Sequence, residues 1–174
     1  MPRSWYNHVS IWAKDMEESQ AFYEELFGAE VVPTPNMGAP VRWLKIGNLQ
    51  LHFYGNIKPG GLEPMVETTP KYGHFALGVD DFAEFYALAQ ARGADEDDSI
   101  WGHPLNVLPN GQVQYYVRDP TGNLVEVNFT DASLLPEDIL ERAEYQKLRF
   151  DQTDDQLKAR LFLEESDSVS AGSD

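Results

Sequence analysis

NHVSIWAKDMEESQAFYEELFGAE fills residues 7–30, and GHFALGVDDFAEFYALAQARGAD fills residues 73–95. The second stretch repeats the first. His8 and His74, Asp15 and Asp81, and Glu18 and Glu84 each stand 66 residues apart. Gly28 and Gly93 then pair with one residue lost, each followed by Ala and an acid. A recurring spacing of this kind marks two copies of one supersecondary unit.

Each copy has the same physical reading. The segment after the histidine alternates like the start of a strand. Asp15 and Asp81 are suited to cap a helix N-terminus, with an acid three residues on. Phe22, Tyr23, Leu26 and Phe27 stripe the first helix; Phe82, Phe85, Leu88 and Ala89 stripe the second. Gly28 and Gly93 suit the left-handed residue that closes a helix. Strand-like segments follow at 30–33, 41–46 and 49–54 in the first copy. In the second copy they lie near 100–108, at 112–118 and at 124–129. The last two strands of each copy are joined by turn formers, Gly47-Asn48 and Asp119-Pro120-Thr121-Gly122-Asn123. The expected fold is α+β: two tandem βαβββ modules forming a curved mixed sheet with the helices outside, and a C-terminal helical extension.

The final strands also match. LQLHF at 49–53 aligns with VEVNF at 125–129, so Gln50 falls at the place of Glu126. By strand parity Gln50, His52 and Tyr54 share one face. Glu126 and Asn128 share the corresponding face of the other copy.

Composition removes several classes of function. The 174 residues carry 13 Lys and Arg against 29 Asp and Glu, a formal charge of −16. Such a chain has no general attraction to nucleic acid phosphates or anionic membrane. It has no cysteine, which excludes disulfides, thiolate metal sites and cysteine nucleophiles. No signal-like run opens the chain and no stretch is long enough to span a membrane, so a cytoplasmic protein is expected.

Four pieces carry a family resemblance: His8 with VSIWAKD, FYEELFGAE, GHFALGVDD, and YVRDPTGNLVEVNF at 116–129. Over about residues 5–130 the chain resembles the vicinal oxygen chelate superfamily: glyoxalase I, fosfomycin and bleomycin resistance proteins, methylmalonyl-CoA epimerase and extradiol dioxygenases. The resemblance implies a divalent metal in the cup, with ligands at His8, Gln50, His74 and Glu126. His52, on the face of Gln50, is the alternative to it. Two imidazoles, a carboxylate and an amide oxygen would leave two octahedral positions for a bidentate substrate. Nickel, cobalt, zinc, manganese or magnesium would suit this set.

The implied activity is that of a metal-dependent glyoxalase-like lyase or isomerase. It would move a proton on a small molecule with vicinal oxygens, with Glu126 as the one candidate base. If His8, His74 and Glu126 act alone, they form the triad of ferrous oxygenases. Tyr116, ten residues before Glu126, and His103 would then assist a ring-cleaving dioxygenase. A third reading is a drug- or metabolite-binding resistance protein without catalysis. A homodimer is expected, with the modules pairing either within one chain or across two.

Alternative uses of several residues are plain. Arg42 and Arg118 suit solvated strand positions, and 95–98 suits an exposed acidic turn. Trp5, Tyr6, Trp12, Phe22, Trp43, Phe53, Tyr54 and Trp101 suit core or cup lining. The expected organisation is a core over 1–130, with module one at 5–55, a Pro- and Gly-rich linker at 56–72 and module two at 73–130. An extension at 131–165 is expected to hold one helix from Pro136 to about Phe150 and another after Thr153. Residues 166–174 are expected to be a disordered tail.

Overall fold

The computed structural model describes residues 7–36, 40–55, 73–94, 104–145, 151–159 and 161. The linker, the acidic stretch 95–98, His103 and the tail lie outside these residues, as do Trp5, Tyr6 and Trp101.

Module one runs β1 (His8–Trp12), α1 (Met16–Phe27), β2 (Glu30–Val32), β3 (Val41–Ile46) and β4 (Leu49–Tyr54). Module two runs β5 (His74–Gly78), α2 (Phe82–Arg92), β6 (Leu105–Val107), β7 (Val113–Arg118) and β8 (Leu124–Phe129). Capping fixes both helices as the repeat predicts. Asp15 accepts from the Glu18 amide at 2.9 Å and Asp81 from the Glu84 amide at 3.0 Å. At the other ends Gly28 and Gly93 take φ of 59° and 61°, where an L side chain is strained.

The strands form two sheets, ordered β1-β4-β3-β2 and β5-β8-β7-β6-β9, where β9 is the short strand Glu144–Tyr145. The first and last long strand of each module run parallel, and the hairpins are antiparallel. One face of each sheet packs on the helices. Leu44, Leu51 and Phe53 in module one, and Val113, Tyr115, Val117, Val125 and Val127 in module two, are buried there.

Register decides which residues are counterparts. His8 pairs with Gln50 across β1 and β4, whereas His74 pairs with Leu124 and Ala76 with Glu126 across β5 and β8. The strand exits agree: Ala13 N–H donates to Tyr54 O, and Val79 N–H to Asn128 O. Gln50 is thus the counterpart of Leu124, and His52 is the counterpart of Glu126. The sequence match of LQLHF to VEVNF is two residues out. Parity survives such a slip, so the face is unchanged. The five-residue turn of module two hides the offset from a reading by pattern alone.

The modules are clasped by that turn. Tyr23 of α1 donates its hydroxyl to Asp119 Oδ2 at 3.0 Å. Asn123 donates to the Trp12 carbonyl at 2.8 Å, and the Lys14 amide donates to Thr121 Oγ1 at 3.0 Å. Asp119 also accepts from the amides of Thr121 and Asn123. Burial raises the Asp119 carboxyl above its ordinary value, opposed by these donors. Tyr23 stacks on Phe75 of β5, and Phe27 meets Phe85, so apolar contact joins the modules beside the polar clasp.

The C-terminal segment differs from the two helices expected. Asp131 caps a short 3-10 turn at Ala132–Leu134, and α3 (Glu137–Leu140) is a single turn. Its apolar residues Leu135 and Ile139 join the core, so packing rather than helix length satisfies them. The chain then adds β9 (Glu144–Tyr145) parallel to β6. Thr153 and Gln156 form a reciprocal capping box, but the 3-10 turn after it covers only Gln156–Lys158. Among the described residues no helix is long and apolar enough to cross a membrane.

Candidate metal centre

The face of each sheet away from the helices carries the polar residues. In module two, His74 Nε2 lies 3.0 Å from Glu126 Oε2. The Tyr116 hydroxyl donates to the same oxygen at 2.9 Å, and Gln114 Nε2 donates to Oε1 at 2.9 Å. Glu126 is only 5% exposed, so both carboxylate oxygens are satisfied by fixed donors rather than by bulk solvent. Tyr116 also meets the His74 ring edge to face, with centroids 5.8 Å apart. The imidazole is therefore fixed from two sides.

In module one, His8 and His52 stack with centroids 4.2 Å apart. Trp43 stacks on the other side of His52 at 4.3 Å. His52 Nε2 is 2.8 Å from Gln50 Oε1, and His8 Nδ1 is 2.8 Å from Asn7 Oδ1. Burial, then the neighbouring His8, pushes the His52 imidazole below its ordinary value. That favours the neutral form a metal requires.

Two half-sites result. His74, Glu126 and Tyr116 come together in one, and His8, Gln50 and His52 in the other. Among the described residues no group of three or more His or carboxylate side chains converges on one point. His103 lies outside the described residues.

The halves follow one plan. Trp43 faces His52 on the neighbouring strand, as Tyr116 faces Glu126. The aromatic stacks in one case and donates a hydrogen bond in the other. Sequence reasoning missed Gln114. Its signal was available in its parity with Tyr116 on the strand paired to Glu126.

Residues 5–127 match the model of the Glyoxalase/Bleomycin resistance protein/Dioxygenase superfamily. The chain belongs to this superfamily. It is 39% identical over 59 residues to the mitochondrial methylmalonyl-CoA epimerase of Bos taurus, covering 30% of this chain. The match spans about a third (34%) of the length of that epimerase. Lactoylglutathione lyase from Agrobacterium tumefaciens shares 27% identity at a TM-score of 0.53, over 74% of this chain and 95% of its own. The fosfomycin resistance protein FosX of Listeria monocytogenes shares the fold at a TM-score of 0.54 with 18% identity, over 73% of this chain and 93% of its own. Superfamily members include lyases, epimerases and dioxygenases, so enzymatic activity is consistent with membership.

Proposed function

We propose that the protein is a metal-dependent enzyme that moves a proton on a small molecule with two vicinal oxygens. The observation that carries this reading is the His74–Glu126 contact at 3.0 Å, held by Tyr116 and Gln114 and echoed by His8 and His52. Imidazole and carboxylate donors fit a borderline divalent ion such as nickel, cobalt, zinc or manganese. His8, His52, His74 and Glu126 would hold it, with Gln50 as the neighbouring amide donor.

Among the described residues of one chain the two halves do not converge on one point, which favours a homodimer joining His8 and His52 of one chain to His74 and Glu126 of its partner. The bound ion would act as a Lewis acid on a substrate carbonyl and acidify the adjacent C–H bond.

Glu126 is the proposed base. Released from the ion, it would take the proton from carbon and return it, so atoms and charge balance without an oxidant. Tyr116 and Gln114 hold the carboxylate in place during this transfer, and their donors follow the charge as it changes. Similarity to a lactoylglutathione lyase and to methylmalonyl-CoA epimerases supports proton-transfer chemistry over the binding-only reading.

Metal content of purified protein and titration of the stripped protein test the proposal. About one nickel, cobalt, zinc, manganese or magnesium per chain, lost in His74→Ala, is expected. His52→Ala should weaken binding more than Gln50→Ala. Equal amounts of His8→Ala and Glu126→Ala chains, unfolded and refolded together, should regain metal in up to half of the sites in mixed dimers. Stoichiometric iron with oxygen uptake on catechols would instead favour a dioxygenase using His8, His74, Glu126 and Tyr116. Absence of metal after reconstitution would overturn both enzyme readings.

A further inference from the structure

The floor of module two holds one polar atom that the half-site does not use. Asn128 lies two residues beyond Glu126 on β8 and is 6% exposed. Its Oδ1 is buried, and no donor among the described residues reaches it. An acceptor buried without a partner is costly, and in a folded protein it calls for an explanation.

Its neighbours are polar too. Across the sheet Asn128 pairs with Gln114, Gln114 with Asn106, and Asn106 with Glu144 of β9. Paired residues of adjacent strands share a face, so this row runs from the proposed metal half-site toward the C-terminal strand. A purely structural floor would place apolar side chains here, as the opposite face does with Val113, Val127 and Phe129.

We infer that Asn128 is a specificity-determining residue whose Oδ1 accepts a hydrogen bond from the substrate. The ligand class follows: a molecule bearing a hydroxyl or amide N–H about 7 Å from its vicinal oxygens, the span of two strand residues. This inference rests on the metal reading above.

Two hydroxamates probe it on metal-loaded protein. One carries a three-methylene chain ending in a primary amide. The other is its apolar isostere, 5-methylhexanohydroxamate. Calorimetry should give the amide a Kd about tenfold lower in the wild type, and Asn128→Leu should bring the two within about twofold. An equal preference in both proteins, or none in either, overturns the inference.

Acetohydroxamate, too short to reach Asn128, checks the metal reading separately. If it fails to bind, that reading falls, and the inference with it. If it binds without any amide preference following, the inference falls alone. Metal-free protein gives a second readout. Asn128→Leu should melt at or above the wild-type temperature, because it removes an unpaired acceptor. A fall of about 4 °C or more would assign Asn128 a structural partner instead and overturn the inference.

Discussion

The two modules share a chain path and spend their side chains differently. In module one, Arg42 on β3 reaches back to α1, donating to Gln20 at 2.6 Å and pairing with Glu17 at 2.9 Å. Register makes Tyr115 its counterpart in module two, and the helix repeat makes Tyr86 the counterpart of Gln20. There the polar tie becomes an aromatic cluster: Tyr115 meets Tyr86 at 5.3 Å and Phe82 at 5.9 Å. The same contrast holds on the other face. Glu126 is buried among donors, while His8 and Gln50 are exposed. Module two is therefore a preassembled half, and module one offers an open one. The two copies share the backbone that places the proposed ligands, and each has its own way to bind helix to sheet.

The comparison breaks first at Tyr115. The ring is fully buried, and its hydroxyl accepts from Gln90 Nε2 at 3.2 Å. Truncation removes a large apolar surface and leaves a cavity. Tyr115→Ala should cost about 4 kcal/mol in chemical denaturation. A loss under about 1 kcal/mol would show that module two does not depend on its aromatic cluster.

Asp119 comes next, because only module two has the clasping turn. Asp119→Ala strands the buried Tyr23 hydroxyl and two turn amides, for a cost of about 2 kcal/mol. Asn48, in the short turn of module one, should lose less than about 0.5 kcal/mol as Ala. The titration has a definite sign. Burial sets the folded Asp119 carboxyl above its unfolded value, so the folded state binds more protons there. Stability from this group therefore falls as pH rises from the ordinary carboxyl range through the raised folded value. Thermal melts of wild type against Asp119→Asn across that window should show the wild type losing ground toward higher pH. A difference rising with pH would sink this account.

Much of this was legible in the sequence. The 66-residue echo gave both modules, both caps and both closing glycines, because capping is local chemistry written in adjacent residues. The position of Gln50 against Glu126 was not, since period-two strands look alike when slid by two residues. Only the parallel pairing of β1 with β4 and of β5 with β8 reveals that His52 stands where Glu126 does. The C-terminal segment misled for another reason. Leu135, Ile139 and Leu140 have helical spacing, yet their burial against the core is satisfied by one turn before the chain enters β9. Asp119 read as an ordinary turn former, and nothing local marks that it reaches a tyrosine 96 residues away.

Tyr116 and Trp43 sharpen the functional side of the comparison. Tyr116→Phe keeps the ring against His74 and removes the hydrogen bond to Glu126. Metal affinity, measured by competition with a chelator, should fall about tenfold, as for other groups that orient a ligand. Trp43→Phe keeps a stacking ring on His52 and should change affinity by less than about threefold. Equal effects would mean that the two aromatics serve the same end.

Arg42 gives the smallest effect and the most direct check on the opening contrast. Its guanidinium contacts Glu17, Gln20 and the Met16 carbonyl, and Glu17 is largely exposed. Exposed ion pairs contribute little, because water and salt screen them and both side chains lose freedom. The partly buried bonds to Gln20 and Met16 carry what remains. Arg42→Ala should therefore cost about 0.7 kcal/mol, with most of the ion-pair share vanishing in 1 M salt. If the loss instead matched that of Tyr115→Ala, the polar tie of module one would be as strong as the aromatic cluster of module two. The two copies would then differ in chemistry but not in the strength with which helix is held to sheet.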